Sequence, residues 1–205
     1  MYGRAGTRAL RIEARSGDPL PCLLMRVRGR MLKFVAGLLV IAGLLLVVGL
    51  MLPTNQHIER SIILRGEGGD VFPLLASLRR WPEWTAWTTN RFPDMTLRFE
   101  GPDSGVGAVM MAAGKSSGDG AVRISSADPG AGIAYTLDFN HGAQLFAGAI
   151  RYTNTPEGLR VNWTLAAELG RNPLKRWLGL GMESLMGGDM KKGLENLKKE
   201  VEARR

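Results

Sequence analysis

Nineteen consecutive uncharged and almost wholly apolar residues, Phe34 to Leu52, constrain this chain more than any other feature. At about 1.5 Å per helical residue the run reaches roughly 28 Å, close to the ~30 Å hydrocarbon thickness of a bilayer. Helix is the conformation that satisfies every backbone group of a lone segment there. The run therefore predicts a basic tail over residues 1–33, a transmembrane helix over 34–52 and a globular domain over 53–205.

Charge sets the orientation. The tail holds Arg4, Arg8, Arg11, Arg15, Arg26, Arg28, Arg30 and Lys33 against Glu13 and Asp18, which is +6 of the chain's net +8. After the run, Pro53 to His57 carry no full charge, and Glu59 and Arg60 cancel. The positive-inside rule then puts the tail in the cytoplasm and the domain across the membrane. In a bacterium this is a single-pass protein of the inner membrane with a periplasmic domain. A cleaved signal peptide wants a small-residue site, but the run closes on Gly49-Leu50-Met51-Leu52-Pro53, so an uncleaved anchor is expected. Cys22 precedes the run, which removes a lipoprotein signal. Met31-Leu32-Lys33 would make a compact alternative start, and the Arg-rich residues 1–30 show no pattern of a folded element, as in a disordered segment.

The remaining +2 on the domain is near balance, and nucleic-acid binding would want a basic face within a folded domain. Gly37, Gly43 and Gly49 recur every six residues and so spread around the helix, without the small-residue stripe of a tight dimer. The oligomeric state stays open. With Cys22 the only cysteine, the domain has no disulfide, thiolate metal site or cysteine nucleophile. A domain of this size buries about 70% of its unfolded-chain surface and needs no staple.

Period-two alternation dominates residues 95–169. Met95, Leu97 and Phe99; Ile133, Tyr135, Leu137 and Phe139; and Leu159, Val161, Trp163 and Leu165 each alternate with polar or small residues. Turn signals such as Asp128-Pro129-Gly130 and Pro156-Glu157-Gly158 separate them, which predicts successive antiparallel hairpins. With further strands near 58–64, 106–112, 121–126 and 145–152, about seven are expected. Asp70 is the expected N-cap of a helix over 70–78, and Asn172-Pro173 opens another. Gly187-Gly188 should break the latter, with Asp189 capping a final segment. There Met190, Leu194, Leu197 and Val201 make an apolar stripe opposite a Glu195–Lys199 pair. Lys191, Lys192, Lys198 and Lys199 read as its solvated side.

This order of an early strand, short helices, a six-stranded meander and a long C-terminal helix is that of an α+β helix-grip fold. Specific residues carry a family likeness: Asp70-Val71-Phe72, Trp81-Pro82-Glu83-Trp84-Thr85-Ala86-Trp87, Gly101-Pro102, Gly105-Val106-Gly107-Ala108, Val161-Asn162-Trp163 and Gly193-Leu194-Glu195-Asn196-Leu197-Lys198. In that order, the domain resembles the polyketide cyclase/dehydrase and START-like (SRPBCC) superfamily over nearly all of residues 53–205. Members often carry a tryptophan, an acidic residue and a glycine in the third strand. Here Ala112-Ala113-Gly114 stands there, which implies a larger, more apolar space.

The resemblance implies a cavity between the sheet and the C-terminal helix that takes a hydrophobic small molecule or lipid. Its expected lining is Trp84, Trp87, Met110, Tyr135, Leu137, Trp163, Leu178 and Met182, acting by contact and shape. Trp81 reads as a buckle fastening the short helices to the sheet, while Trp84 and Trp87 could serve as buckle or as cavity wall. Two rival readings stand beside this one. A non-catalytic envelope module would fill the cavity with its own side chains, and a cyclase or dehydratase would need a pocket-facing acid or base. No catalytic residue, cofactor or metal is expected. Gly114-Lys115-Ser116-Ser117-Gly118 matches a nucleophile-elbow pattern, but it sits in a turn between strands instead of a strand-to-helix elbow. His57 and His141 have no metal-ligand spacing.

A reporter active only in the periplasm is expected to work when fused after Arg205, and one fused before Met31 only in the cytoplasm; the reverse pattern would overturn the orientation.

Overall fold

The computed structural model describes residues 20–139, 142 and 144–204. Expectations for residues 1–19 and for His141 fall outside the described residues. The first helix, α1 (Leu20–Met51), begins well before the apolar run, so residues 20–33 are helical where an unpatterned tail was expected. Its stretch Lys33–Met51 is long and apolar enough to cross a bilayer. The chain divides into two compact units at Leu45/Leu46, so the last turn of α1 belongs to the same unit as everything after it.

That second unit is a seven-stranded antiparallel sheet with three α-helices and a turn of 3-10 helix after the end of α1. Strand β1 (Asn55–Leu64) leads to α2 (Gly68–Ala76), a turn of 3-10 helix (Leu78–Arg80) and the short α3 (Trp81–Trp84). The meander follows: β2 (Thr96–Glu100), β3 (Val109–Ala113), β4 (Gly120–Asp128), β5 (Gly132–Phe139), β6 (Gln144–Thr155) and β7 (Gly158–Glu168). Helix α4 (Pro173–Glu202) closes the chain. The strand order β1-β7-β6-β5-β4-β3-β2 returns the first strand beside the last, and every pairing is antiparallel. This is the expected helix-grip fold.

One face of the sheet makes the core. The inward set of β5 is Ile133, Tyr135 and Leu137, and that of β7 is Leu159, Val161, Trp163 and Leu165, as the alternation required. Tyr135, Gly148 and Leu165 lie in one row across β5, β6 and β7. The stripe Met190, Leu194, Leu197 and Val201 of α4 is buried against this face.

Several local expectations change. Glu67 is the N-cap of α2 and Asp70 its third residue, whose Oδ2 accepts from the Glu67 backbone N–H at 3.0 Å, the reciprocal half of a capping box. The third strand starts later, because Gly101, Gly105 and Gly107 hold positive φ and keep the chain before it in turns, leaving Val106 exposed. Helix α4 runs unbroken through Gly187-Gly188. The reason is packing: a Cβ at Gly187 would stand 2.4 Å from the Arg60 guanidinium, so this glycine admits a neighbour and does not end a helix. Asn172 caps α4 as expected, its Oδ1 accepting from Leu174 N at 2.9 Å. The ion pairs near its end join Lys198 to Glu202 (3.9 Å) and Arg204 to Glu200 (3.3 Å), and Glu195 and Lys199 stay exposed. Lys198 is half-buried, its Nζ donating to the Ile63 carbonyl at 3.0 Å, so it is no simple member of the solvated face.

Leu194 is the clearest test of the grip. Leu194→Asp puts an unpartnered carboxylate where the native side chain is 1% exposed, and is expected to abolish cooperative melting. Lys199→Asp, on the exposed face, should shift stability by no more than about 0.5 kcal/mol.

Candidate functional site

An apolar pocket lies between the sheet and the junction of α3 with α4. Its floor comes from four strands: Met110 of β3, Val122 of β4, Tyr135 and Leu137 of β5, and Trp163 and Leu165 of β7. Its roof is Trp81, Thr85, Ala86 and Trp87 on one side and Met186, Asp189 and Met190 of α4 on the other. Among these only Trp87, Met186 and Asp189 are half-exposed, so the mouth opens between them. About 60 Å³ is open to the centre of a water-sized sphere. That admits a few waters or a small apolar group, since one water needs roughly 10–15 Å³ on this measure.

Glycines shape the floor. Gly148 sits opposite Tyr135 in the strand register, and a Cβ there would lie 2.1 Å from the phenol ring. The bare backbone of β6 thus lets the Tyr135 ring lie flat across it. Gly193 of α4 does the same for the Trp163 ring, where a Cβ would come within 2.9 Å. The two aromatic groups meet through a hydrogen bond: Trp163 Nε1 donates to the Tyr135 hydroxyl oxygen at 2.7 Å. That bond uses the oxygen as acceptor and leaves the O–H able to donate. Burial pushes the Tyr135 phenol far above its ordinary value, with only partial opposition from Trp163. At neutral pH it is a neutral hydrogen-bond donor in an apolar wall.

The tryptophan cluster divides into two jobs. Trp81 Nε1 donates to the Leu75 carbonyl (2.9 Å) and Trp84 Nε1 to the Leu74 carbonyl (3.2 Å). Both acceptors lie in the last turn of α2, where carbonyls lack intrahelical partners, so both indoles cap that helix while packing against each other at 5.5 Å. Trp84 also packs on Trp163, 5.5 Å between centroids, and the Asn196 amide donates to its carbonyl. It is wholly buried and does not border the cavity. Trp87 stands at the mouth. Its Nε1 donates to Asp189 Oδ2 at 3.3 Å while Arg91 Nη1 donates to Oδ1 at 2.6 Å. Both oxygens of one carboxylate on α4 thereby hold the loop after α3 across the opening.

The expected lining residues are thus partly gathered. Trp87, Met110, Tyr135, Leu137 and Trp163 surround the cavity. Leu178 does not: it is 64% exposed on the outer side of α4. Met182 packs at the edge of the core and borders a separate depression with Phe146 and Ala167. Ala112 lies outside the cavity too, so the alanines of β3 do not enlarge it. The sequence had pointed to Asp189 as a cap and to Trp81 as a buckle, and their place at the cavity was missed. Methionines at 186 and 190, one helical turn apart, were the available signal.

Ser116 is no nucleophile elbow. Its hydroxyl and its backbone N–H (3.0 Å) both donate to the Asp94 carboxylate in an exposed turn, and these bonds hold that carboxyl below its usual range.

Comparison with known proteins agrees with this geometry. A family model described as polyketide cyclase/dehydrase and lipid transport matches residues 55–202. Among solved structures, the di-domain ARO/CYC StfQ from the steffimycin biosynthetic pathway aligns with a TM-score of 0.57 at 15% identity. The alignment covers 74% of this chain and 52% of that one, so this chain spans about half of that protein. Protein MLL2253 from Mesorhizobium loti gives 0.52 at 15% identity, over 73% of this chain and 99% of that one. A Rhodobacter sphaeroides protein gives 0.52 at 15% identity, over 73% and 94%. At such identities the likeness is one of fold. No curated protein matches.

Tyr135 yields a pH prediction. A phenol raised in the folded state keeps its proton above about pH 10, where the unfolded chain releases it. Stability is therefore full below pH 10 and falls as pH rises toward the folded value. In urea melts across that range, Tyr135→Phe should show a shallower alkaline loss than the native chain, with Tyr152, also raised by burial, supplying the residual slope. Equal slopes would show that Tyr135 is not held neutral by its site.

Proposed function

Because the chain belongs to the polyketide cyclase/dehydrase and lipid transport family, we propose that its helix-grip domain binds an apolar small molecule or lipid without transforming it. The observation that carries this is the cavity itself. Its wall is aromatic and aliphatic, and its polar groups are a neutral phenol donor, a threonine and one carboxylate already engaged by Trp87 and Arg91. Such a wall selects by shape and apolar burial, worth about 25 cal/mol per Å², and offers the ligand one donated hydrogen bond from Tyr135. Its one carboxylate, Asp189, already accepts from Trp87 and Arg91, and among the described residues no imidazole lines the wall, which argues against a cyclase or dehydratase step.

Size sets a condition. A lipid chain needs far more room than about 60 Å³, so Met186, Met190 and Trp87 must swing aside for it. Methionines suit that, being flexible and polarizable. The same small volume favours the second reading, a non-catalytic envelope module whose core is closed by its own side chains. In both readings α1 anchors the chain in the inner membrane, with the domain on the periplasmic side. The apolar length of α1 and the basic tail support that placement.

Mass spectrometry of the full chain extracted in mild detergent separates the two. A co-purifying apolar species is expected, at a stoichiometry that drops several-fold in Met110→Trp and in Leu165→Phe, both of which add volume to the wall while thermal melting verifies folding. A species retained equally in these variants, or none in the native chain, would favour the closed module.

A further inference from the structure

Helix α4 changes character along its length. Its second half buries Met190, Leu194, Leu197 and Val201, whereas before Met186 its buried residues are Arg176 and Gly179. Leucines there point outward: Leu174 is 72% exposed, Leu178 64%, Leu180 48% and Leu185 75%. Among the described residues, only Val106 and Leu145 are other large exposed apolar side chains outside α1. Leu174, Leu178, Gly181 and Leu185 step by four, three and four residues, which puts them on one helical face. The pattern is that of a core stripe with no core to meet.

The same stretch is fastened to the end of the apolar helix. Arg176, only 6% exposed, donates from Nη1 to the Leu50 carbonyl (2.6 Å) and the Leu52 carbonyl (3.1 Å), and from Nε to the Gly170 carbonyl (2.9 Å). The Leu50 carbonyl is in the last turn of α1 and Leu52 follows its end, so the guanidinium sits at the negative end of that helix dipole. Contact is close enough that a Cβ at Gly49 would stand 2.8 Å from Pro173 Cβ and from Trp177 Nε1. The first turns of α4 therefore start where α1 ends. Around them stand Arg171, Lys175 and Trp177, the residue types that settle at the headgroup level.

We propose that the outward leucine face of α4, Leu174 to Leu185, lies in the headgroup–acyl boundary of the leaflet from which α1 emerges. The occupant of that face is lipid. Its apolar side continues the exposed surface of Val47, Leu50 and Met51 at the end of α1, and its cationic neighbours suit anionic phosphates. Met186 and Asp189, at the cavity mouth, follow in the next turn, so the mouth lies within a helical turn of the docked face. This inference rests on α1 spanning the bilayer.

The test uses the full chain with Cys22→Ser, reconstituted in phosphatidylethanolamine–phosphatidylglycerol vesicles. Single cysteines at Leu178→Cys, Leu185→Cys, Lys199→Cys and Leu44→Cys each carry an environment-sensitive fluorophore, and nitroxide lipids are the quencher. Quenching at 178 and 185 is expected to exceed that at 199 several-fold, and to be strongest with the nitroxide placed near the headgroup. Position 44 should be quenched best by nitroxides near the chain ends. Quenching at 44 with 178 and 185 as wet as 199 overturns the docked face and leaves the anchor standing. A dry but unquenched label at 178 also overturns it, because protein then covers the face. Absence of quenching at 44 removes the anchor and this inference with it.

Discussion

The burial of one stripe of α4 against one face of the sheet is the contact on which the rest of the domain depends. Seven antiparallel strands present one apolar face, which α4 covers together with α2 and α3. Met190, Leu194, Leu197 and Val201 cover part of it, and two glycines let the helix come close: Gly193 against the Trp163 ring and Gly187 against Arg60. Arg60 in turn pairs with Glu183 one turn earlier on α4, so a charged clasp sits beside the apolar seam. Where the stripe ends at Met190, the sheet face continues under Met110, Tyr135 and Leu137, where α4 is not pressed onto it and Trp81 of α3 packs edge-on against the Tyr135 ring. The cavity lies over that remainder. Its roof is shared by Trp81 of α3, the loop after α3 and Met186, Asp189 and Met190 of α4, with Asp189 holding that loop.

Polar groups near the cavity follow one rule, that a buried donor or acceptor finds a partner. Trp81 and Trp84 spend their N–H groups on the last carbonyls of α2, and Trp163 spends its own on Tyr135. Each bond ties an aromatic ring to a defined neighbour, so the rings are positioned by hydrogen bonds as well as by packing. Trp87 is the exception in kind, because its partner is a half-exposed carboxylate instead of a backbone carbonyl. A partner reached from solvent can be released to solvent at small cost, whereas a buried carbonyl cannot. The three tryptophans spaced by three residues therefore run from fixed to releasable along the chain.

Much of this was legible beforehand, for physical reasons. Alternation fixes which face of a strand is buried, so Ile133, Tyr135, Leu137, Val161 and Trp163 could be placed without coordinates. The Asn172 cap and the Met190–Val201 stripe were equally local. What escaped depends on tertiary neighbours. Gly187-Gly188 looks like a helix break in any window of sequence, and only the approach of Arg60 explains its place inside a helix. Trp84 and Trp87 are three residues apart and were open to the same two readings, yet one is core and the other stands at a mouth. The inversion at the start of α4 is the sharpest case: Leu178 was expected inside and lies outside, while Arg176 is buried by carbonyls more than a hundred residues away.

That inversion also bears on what the cavity can do. In a water-borne domain, outward leucines at four-three-four spacing would be a liability for association. Beside the end of a long apolar helix they extend a surface that is already apolar. If the domain binds an apolar ligand from lipid as proposed, that ligand brings no hydration shell to remove, and Trp87 with two methionines must move aside to admit it. A neutral phenol on the wall fits such a ligand, since it can orient a carbonyl or hydroxyl without asking for a counter-charge to be carried into an apolar interior.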